Sequence, residues 1–221
     1  MATERRVVSR EEWLAERKAL LREEKALMRY KDFVTEKRQA MPWVQVDKAY
    51  AFQDSGGEHS LLDLFGEAHQ LILYHFMFGP EWEAGCTGCT QVADTFALAR
   101  SHVENRDAHV VAVSRTSVEK IEAYKERMGW DFPWYSSKDS DFNYDFNASD
   151  RDGDAQWRYQ PMGFDRDETH GFSIFVRDDS GDIFHTYSCY NRQVELYMVN
   201  LQLMDLVPGG RQNQLPDGRR A

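Results

Sequence analysis

Leu71 to Phe78 is an apolar run interrupted only by His75, and Cys86-Thr87-Gly88-Cys89 follows it across the short stretch Gly79 to Gly85. Such a run suits a central strand covered on both faces. Beyond the cysteines Val92, Phe96 and Ala99 recur at helical spacing as far as His102, so the thiols stand where a buried strand gives way to a helix. That junction places both sulfurs on one turn of a helix N-terminus. Unpaired backbone N–H groups and the helix dipole there favour thiolate over thiol, and a thiolate is a nucleophile.

The chain has 221 residues, enough for one ordinary domain with appendages, which would bury roughly 70% of the surface its unfolded form exposes. Its core needs no covalent staples. Three cysteines are too few for a disulfide scaffold, and they exclude a zinc site built from two CxxC pairs. Met1 to Leu21 holds no uninterrupted apolar segment of the signal-peptide kind, so a reducing cytoplasm is the expected location. No stretch approaches the roughly 18 apolar residues of a membrane span, and a net charge of −10 repels phosphate backbones and anionic lipid. Neither nucleic acid nor a membrane is expected as a partner.

Ser9 and Glu12 make a capping-box pattern that opens one long helix over residues 9–39. Trp13, Leu20, Leu27 and Val34 form one apolar row at sevens, with Leu14, Leu21 and Met28 beside it and charged residues opposite. This stripe either packs on the chain's own domain or pairs with a second copy in a homodimer. Met41-Pro42 ends the helix, because a residue before proline is pushed out of the α region. Three segments are predicted: an N-terminal extension over 1–43, a domain over 44–207, and a polar tail over 208–221.

Within 44–207, Tyr50-Ala51-Phe52 runs into the turn Asp54-Ser55-Gly56-Gly57 as a hairpin. His109 to Val113 is a second buried strand. Ser117 to Met128 follows as a helix with Gly129 as its C-cap. Residues 136–170, rich in Asp, Asn, Ser and Gly, are expected to be an insertion or surface loop. The acidic Asp150-Arg151-Asp152-Gly153-Asp154 lies there; Ala155 stands where a calcium loop needs glycine and no Glu closes it. Gly171–Arg177 and Asp182–Ser188 flank the turn Asp178-Asp179-Ser180-Gly181 as a second hairpin. Val194 to Leu206 is a last helix, stopped by Pro208.

The order β-α-β-α-β-β-α with a CxxC at the first strand-to-helix joint is thioredoxin topology: an α/β, three-layer α/β/α fold with a mixed central sheet, here carrying a long N-terminal helix. The segments FMFGPEWEAGCTGC, VAVSRTSVEKIEAYKERMGW, SDFNYDF and IFHTYS resemble the thioredoxin-like proteins of unknown function that are catalogued as predicted dithiol-disulfide oxidoreductases. The resemblance covers about residues 9–207. It implies a thioredoxin-like fold and a redox-active pair at Cys86 and Cys89, with substrate undefined; no cofactor is expected. Thioredoxins and peroxiredoxins carry a cis-proline before the strand facing the site. Here that approach is Glu168-Thr169-His170-Gly171, with Pro161 too far upstream, so Thr169, His170 or Gly171 takes its place.

Cys86, nearer the helix N-terminus, is the expected attacking thiol, and Cys89 the resolving one. The partners are then a protein or small thiol or disulfide and an unidentified reductant. Glu81 and Glu83 oppose thiolate formation, and Thr87-Gly88 brings no cation, so an extreme oxidant is not expected. His75 falls where thioredoxins hold a buried acid, if Gly79 to Gly85 is an insertion; it either shuttles the proton of Cys89 or is a strand histidine held by a carbonyl. Trp82 is a docking surface or a packing residue, while Thr87, Gly88, His170 and Gly171 are candidates for contact with substrate. Cys189 offers an alternative: a third sulfur which, with His185 or His170, completes a copper or zinc site as in a metallochaperone. Peroxidase action at Cys86 lacks the TxxC arrangement of peroxiredoxins, and a non-catalytic dimeric binding module is a further alternative.

Overall fold

The computed structural model describes residues 6–151, 159 and 167–211. It divides into two compact units, one ending at Pro42 and one beginning at Trp43. The first is built on helix α1, Arg10–Gln39. Its predicted capping box is present: the Glu12 amide donates to Ser9 Oγ at 3.2 Å, and the Ser9 amide donates to Glu12 Oε2 at 3.0 Å. No residue of α1 is buried, and Trp13, Leu20, Leu27 and Met28 are all exposed.

The second unit holds one sheet of eight strands: β1 Val44–Gln45, β2 Ala51–Asp54, β3 Gly57–Ser60, β4 Gln70–His75, β5 Ala108–Ser114, β6 Trp134–Ser136, β7 Gly171–Arg177 and β8 Ile183–Tyr190. Its helices are α2 Thr87–Glu104, α3 Val118–Met128, α4 Phe142–Asp145 and α5 Val199–Met204, with 3-10 turns at Asp63–Phe65 and Asn191–Tyr197. Strands run in the order β1-β8-β7-β4-β5-β6-β2-β3. Parallel pairing of β4 with β5, antiparallel pairing of β4 with β7 and of β7 with β8, and α2 as the β4–β5 crossover together make the thioredoxin-like fold.

Alternation along the central strand divides the core in two. Ile72 and Tyr74 face a layer made by α2, α3 and α5, where Val92, Ile121 and Leu201 pack with Phe76, Ala112 and Trp134. Leu71 and Leu73 face the 3-10 turn at 63–65 and α4, where Leu64, Phe65 and Phe142 pack with Val113 and Phe175. The second layer is the thinner one, since its helices are single turns. Among the described residues no helix is long and apolar enough to cross a membrane.

Several elements differ from the sequence expectation. The apolar run leaves the sheet after His75, so Phe76, Met77 and Phe78 pack under α2 and α3 as loop residues instead of extending the strand. The segment 136–170 is not wholly irregular. Trp134–Ser136 adds β6 beside β5, Gln53 bridges to Ser136 to fasten the β2–β3 hairpin, and α4 follows. The predicted helix over 194–206 is broken at Met198, whose φ of −97° and ψ of 101° leave the helical region. Burial of Val194, Met198 and Leu201 at i, i+4 and i+7 keeps helical periodicity across that break. Pro161, most of the acidic 150–154 segment, and the tail beyond Arg211 lie outside the described residues.

Candidate active site

Cys86 is the N-cap of α2, with extended backbone at φ −61° and ψ 130°. Three bonds fix it. Its amide donates to the Met77 carbonyl at 3.0 Å, and its own carbonyl accepts from the Thr90 amide at 3.0 Å and the Thr90 hydroxyl at 3.1 Å. The Thr90 hydroxyl in turn meets Tyr124 Oη from α3 at 2.9 Å. Gly85 is required just before this joint, because a β carbon there would stand 2.6 Å from Phe76 Cε1.

The three cysteines are free thiols: Cys86 is half-buried, Cys89 and Cys189 buried. Cys89 lies one turn into α2, in the buried cluster on which Cys86 packs. Burial pushes its thiol well above the ordinary range and the Cys86 sulfur pushes it further, while the Tyr74 hydroxyl and the Met77 amide pull it back. Tyr74 is fully buried and its phenol is raised by that burial and by the two sulfurs.

The remaining predicted residues divide by position. Thr87 is exposed at the first position of α2, and Gly88 is half-buried beside Cys86 Sγ. Trp82 packs on the core beside the pair, and its carbonyl and that of Pro80 accept from Lys120 Nζ at 3.0 and 2.9 Å, tying the approach loop to α3. Gly171 begins β7 opposite His75, so Thr169-His170 enters the sheet at the end of β4 from which the cysteine motif departs. The His170 carbonyl accepts from Asn191 at 2.9 Å, and burial lowers the pKa of its ring.

His75 is not brought to the thiols. Its side chain follows the parity of Leu71 and Leu73, on the face away from α2, where Nε2 meets Ser173 Oγ at 2.8 Å and the ring stacks on Phe142. Burial, with His185 nearby, lowers its pKa to about 3, so the expected proton shuttle is replaced by a neutral core histidine. The residue on the correct face is Tyr74, one position earlier. Strand alternation put positions 74 and 75 on opposite faces, but nothing in the sequence said which face α2 covers.

Cys189 shares the α2 face but not the site. It stands opposite Phe172 on β7, which stands opposite Tyr74 on β4, so a Phe172 ring and two strand spacings, about 10 Å, separate it from Tyr74. Among the described residues no group of three His, Cys, Asp or Glu side chains could hold a metal, so the alternative of a three-sulfur or sulfur–imidazole centre finds no ligand set there. Arg115 carries no spacing signal in the sequence. From the end of β5 it pairs with buried Glu168 at 2.6 Å and bonds Tyr144 Oη, while Ser149 Oγ donates to Glu168 at 2.8 Å. This ion pair ties the approach to β7 to the end of β5, on the far side of β4.

A family model described as a bacterial protein of unknown function (DUF899) matches residues 2–220. The chain belongs to that family. No curated protein matches it. Among solved structures, a cysteine-to-serine mutant of Xanthomonas campestris peroxiredoxin Q is similar at 16% identity, covering 69% of this chain and 90% of that one, with a TM-score of 0.48. The peroxidoxin BcpB of Mycobacterium tuberculosis is similar at 15% identity over 74% of this chain and 97% of its own, with a TM-score of 0.49. A putative thiol-disulfide oxidoreductase from Bacteroides vulgatus is similar at 15% identity over 69% and 92%, with a TM-score of 0.39. These are likenesses of chain path, and the chemistry of this member of the family rests on its own residues.

Proposed function

We propose that the chain is a thiol–disulfide oxidoreductase whose redox pair is Cys86 and Cys89. One observation carries the reading: a half-buried thiol caps α2 beyond the central strand, and a buried thiol stands one turn inside the same helix, in the cluster on which the first packs. The Cys86 thiolate attacks a substrate disulfide, forming a mixed disulfide and releasing the first substrate thiolate. Cys89 then attacks Cys86 Sγ, closing the Cys86–Cys89 bond and breaking the mixed one, and its proton leaves with the second substrate thiolate. The substrate gains two electrons and the pair loses two; a dithiol reductant restores it.

Thr87, Gly88 and Trp82 beside the pair, with His170-Gly171 at the start of β7, form the surface on which a protein or small disulfide docks. The exposed apolar row of α1 supports association with a second copy of the chain in the same reading.

Thiol trapping with mass spectrometry tests the pair. The wild-type chain treated with a small disulfide is expected to form a reversible Cys86–Cys89 bond. Cys86→Ser is expected to abolish exchange, and Cys89→Ser to stall as a mixed disulfide at Cys86. Undiminished reductase activity in Cys86→Ser would sink the proposal.

A further inference from the structure

We infer that Lys120 is a positioning residue for Cys86: from α3 its ammonium fastens the loop that carries the thiol, and brings to that loop the positive charge that Thr87-Gly88 lacks. The inference rests on the reading of Cys86 as the attacking thiol. It starts from how little else holds the loop. Gly79 to Gly85 lies outside the helices and strands, and Glu81, Glu83 and Ala84 on it are exposed. One end is set by the Cys86 amide, which donates to the Met77 carbonyl at 3.0 Å. Within the loop the Trp82 amide donates to the Gly79 carbonyl at 3.1 Å, closing a turn. The Trp82 ring covers that turn so closely that a β carbon at Gly79 would stand 2.9 Å from its Nε1.

The carbonyls on either side of Glu81 both go to one group. Lys120 Nζ donates to the Pro80 carbonyl at 2.9 Å and to the Trp82 carbonyl at 3.0 Å. Lys120 stands in the first turn of α3, where its amide donates to the N-cap Ser117 Oγ at 3.4 Å, so the side chain reaches out from a capped helix. Hydrogen bonds from an ammonium are stronger than neutral ones, and two from one donor pin the loop at two points. Without them a stretch that begins and ends in glycine keeps one internal turn and its tryptophan.

The charge of this lysine is left unpaired. Glu81 and Glu83 share the loop and Glu119 and Glu122 share α3, yet among the described residues Lys120 Nζ bonds only the two neutral carbonyls, and Glu122 pairs with Lys125 at 3.3 Å. Four residues separate Trp82 from Cys86, so chain length alone keeps the ammonium within about 15 Å of the thiol. The other ionisable groups around this joint bring no cation. Glu81 and Glu83 are acidic, burial raises the pKa of Cys89 on α2 and of Tyr74 on β4, the Tyr124 hydroxyl on α3 is engaged with Thr90, and burial lowers the pKa of His170 on the approach to β7. A thiolate forming at Cys86 therefore meets Lys120 as the charge that offsets the two glutamates.

One titration tests both parts. In a Cys89→Ser chain, the rate of mixed-disulfide formation at Cys86 with uncharged 2-hydroxyethyl disulfide is followed against pH; its midpoint reports the thiolate and its upper limit reports how well the thiolate is placed. Lys120→Met is expected to raise the midpoint by about 0.3–0.5 unit, two- to threefold less thiolate below it. It should also lower the limiting rate roughly tenfold, since a displaced nucleophile attacks slowly even when fully ionised. Lys120→Arg, which keeps the charge and the donors, should restore both. Lys120→Gln, which keeps a donor without the charge, should leave the midpoint raised, and against the arginine variant it carries the test if the methionine variant misfolds. A midpoint or a limiting rate unchanged in Lys120→Met overturns the inference, as does a glutamine variant that titrates like the arginine one. A lysine that only braced the fold would slow attack without moving the midpoint. Absence of any Cys86–Cys89 bond in the two-cysteine chain overturns the exchange reading instead, and is told apart because the titration runs without Cys89.

Discussion

Two glycines flank the cysteines with opposite tolerances, and the difference is steric. A β carbon at Gly85 would lie 2.6 Å from Phe76 Cε1, 3.0 Å from Phe76 Cζ and 3.3 Å from Tyr124 Cζ, inside a packed aromatic wall. At Gly88 the nearest atom would be Cys86 Sγ at 3.7 Å, an ordinary contact. Gly85→Ala is therefore expected to lower stability by about 1–3 kcal/mol in urea titrations, the usual penalty of overpacking. It should also slow attack by Cys86, one residue on, whose backbone N–H donates to the Met77 carbonyl. Gly88→Ala should leave stability unchanged or slightly raised, since alanine is the better helix former by about 1 kcal/mol. Equal effects at the two positions would contradict this account of the approach to α2.

At the scale of elements, α1 carries an expectation of its own. Leu20 and Leu27 are 54% and 69% exposed on one row of a helix that buries nothing, and covering each would contribute roughly 1.5–3 kcal/mol. Sedimentation of the full chain is expected to show a dimer, and the double variant Leu20→Glu with Leu27→Glu a monomer with thiol exchange intact. A monomeric wild type at high micromolar concentration would refute pairing through α1. The elements most legible in the sequence were those with local signals: Ser9 and Glu12 for α1, Ser117 and Gly129 for α3, the Asp178 to Gly181 turn for the β7–β8 hairpin. Where structure is set by distant partners, the signal faded. Strand β6 is three residues whose pairing with β5 and β2 spans long loops, and Val194 to Leu206 keeps helical periodicity through a backbone that breaks at Met198. The cysteine motif announced itself by its place in the element order. The placement of His75 away from the thiols did not, because it depends on which face of β4 the crossover helix covers.

Across the whole second unit, a hydrogen-bonded chain crosses three strands: His75 Nε2 to Ser173 Oγ at 2.8 Å, Ser173 to Ser188 at 2.8 Å, and Ser188 to His185 Nε2 at 2.7 Å. It links the centre of the sheet to its β8 side, where burial, complete at His75 and partial at His185, disfavours the charged form of both rings. Burial lowers the pKa of His75 to about 3, and those of His170 and His185 shift in the same direction. In the unfolded chain each titrates near 6.5. Between those values the unfolded state binds more protons than the folded one, so stability is fully present above about pH 6.5 and is lost as pH falls toward the folded value. For His75 alone the loss approaches about 1.4 kcal/mol per pH unit, so over two or three units it reaches about 3–4 kcal/mol, a large share of the roughly 5 kcal/mol at the low end of ordinary domain stability. Glu168 opposes this trend, since burial raises its pKa and its contribution is lost as pH rises, but Arg115 and Ser149 restrain that shift. The histidines are therefore expected to dominate, and the urea midpoint should be level from pH 8 to 7 and then fall steadily to pH 5. His75→Gln, which keeps a donor for Ser173 without a titrating ring, should make that fall shallower. A wild-type midpoint that stays level down to pH 5 would show that the buried chain of histidines and serines takes up protons without loss of the fold.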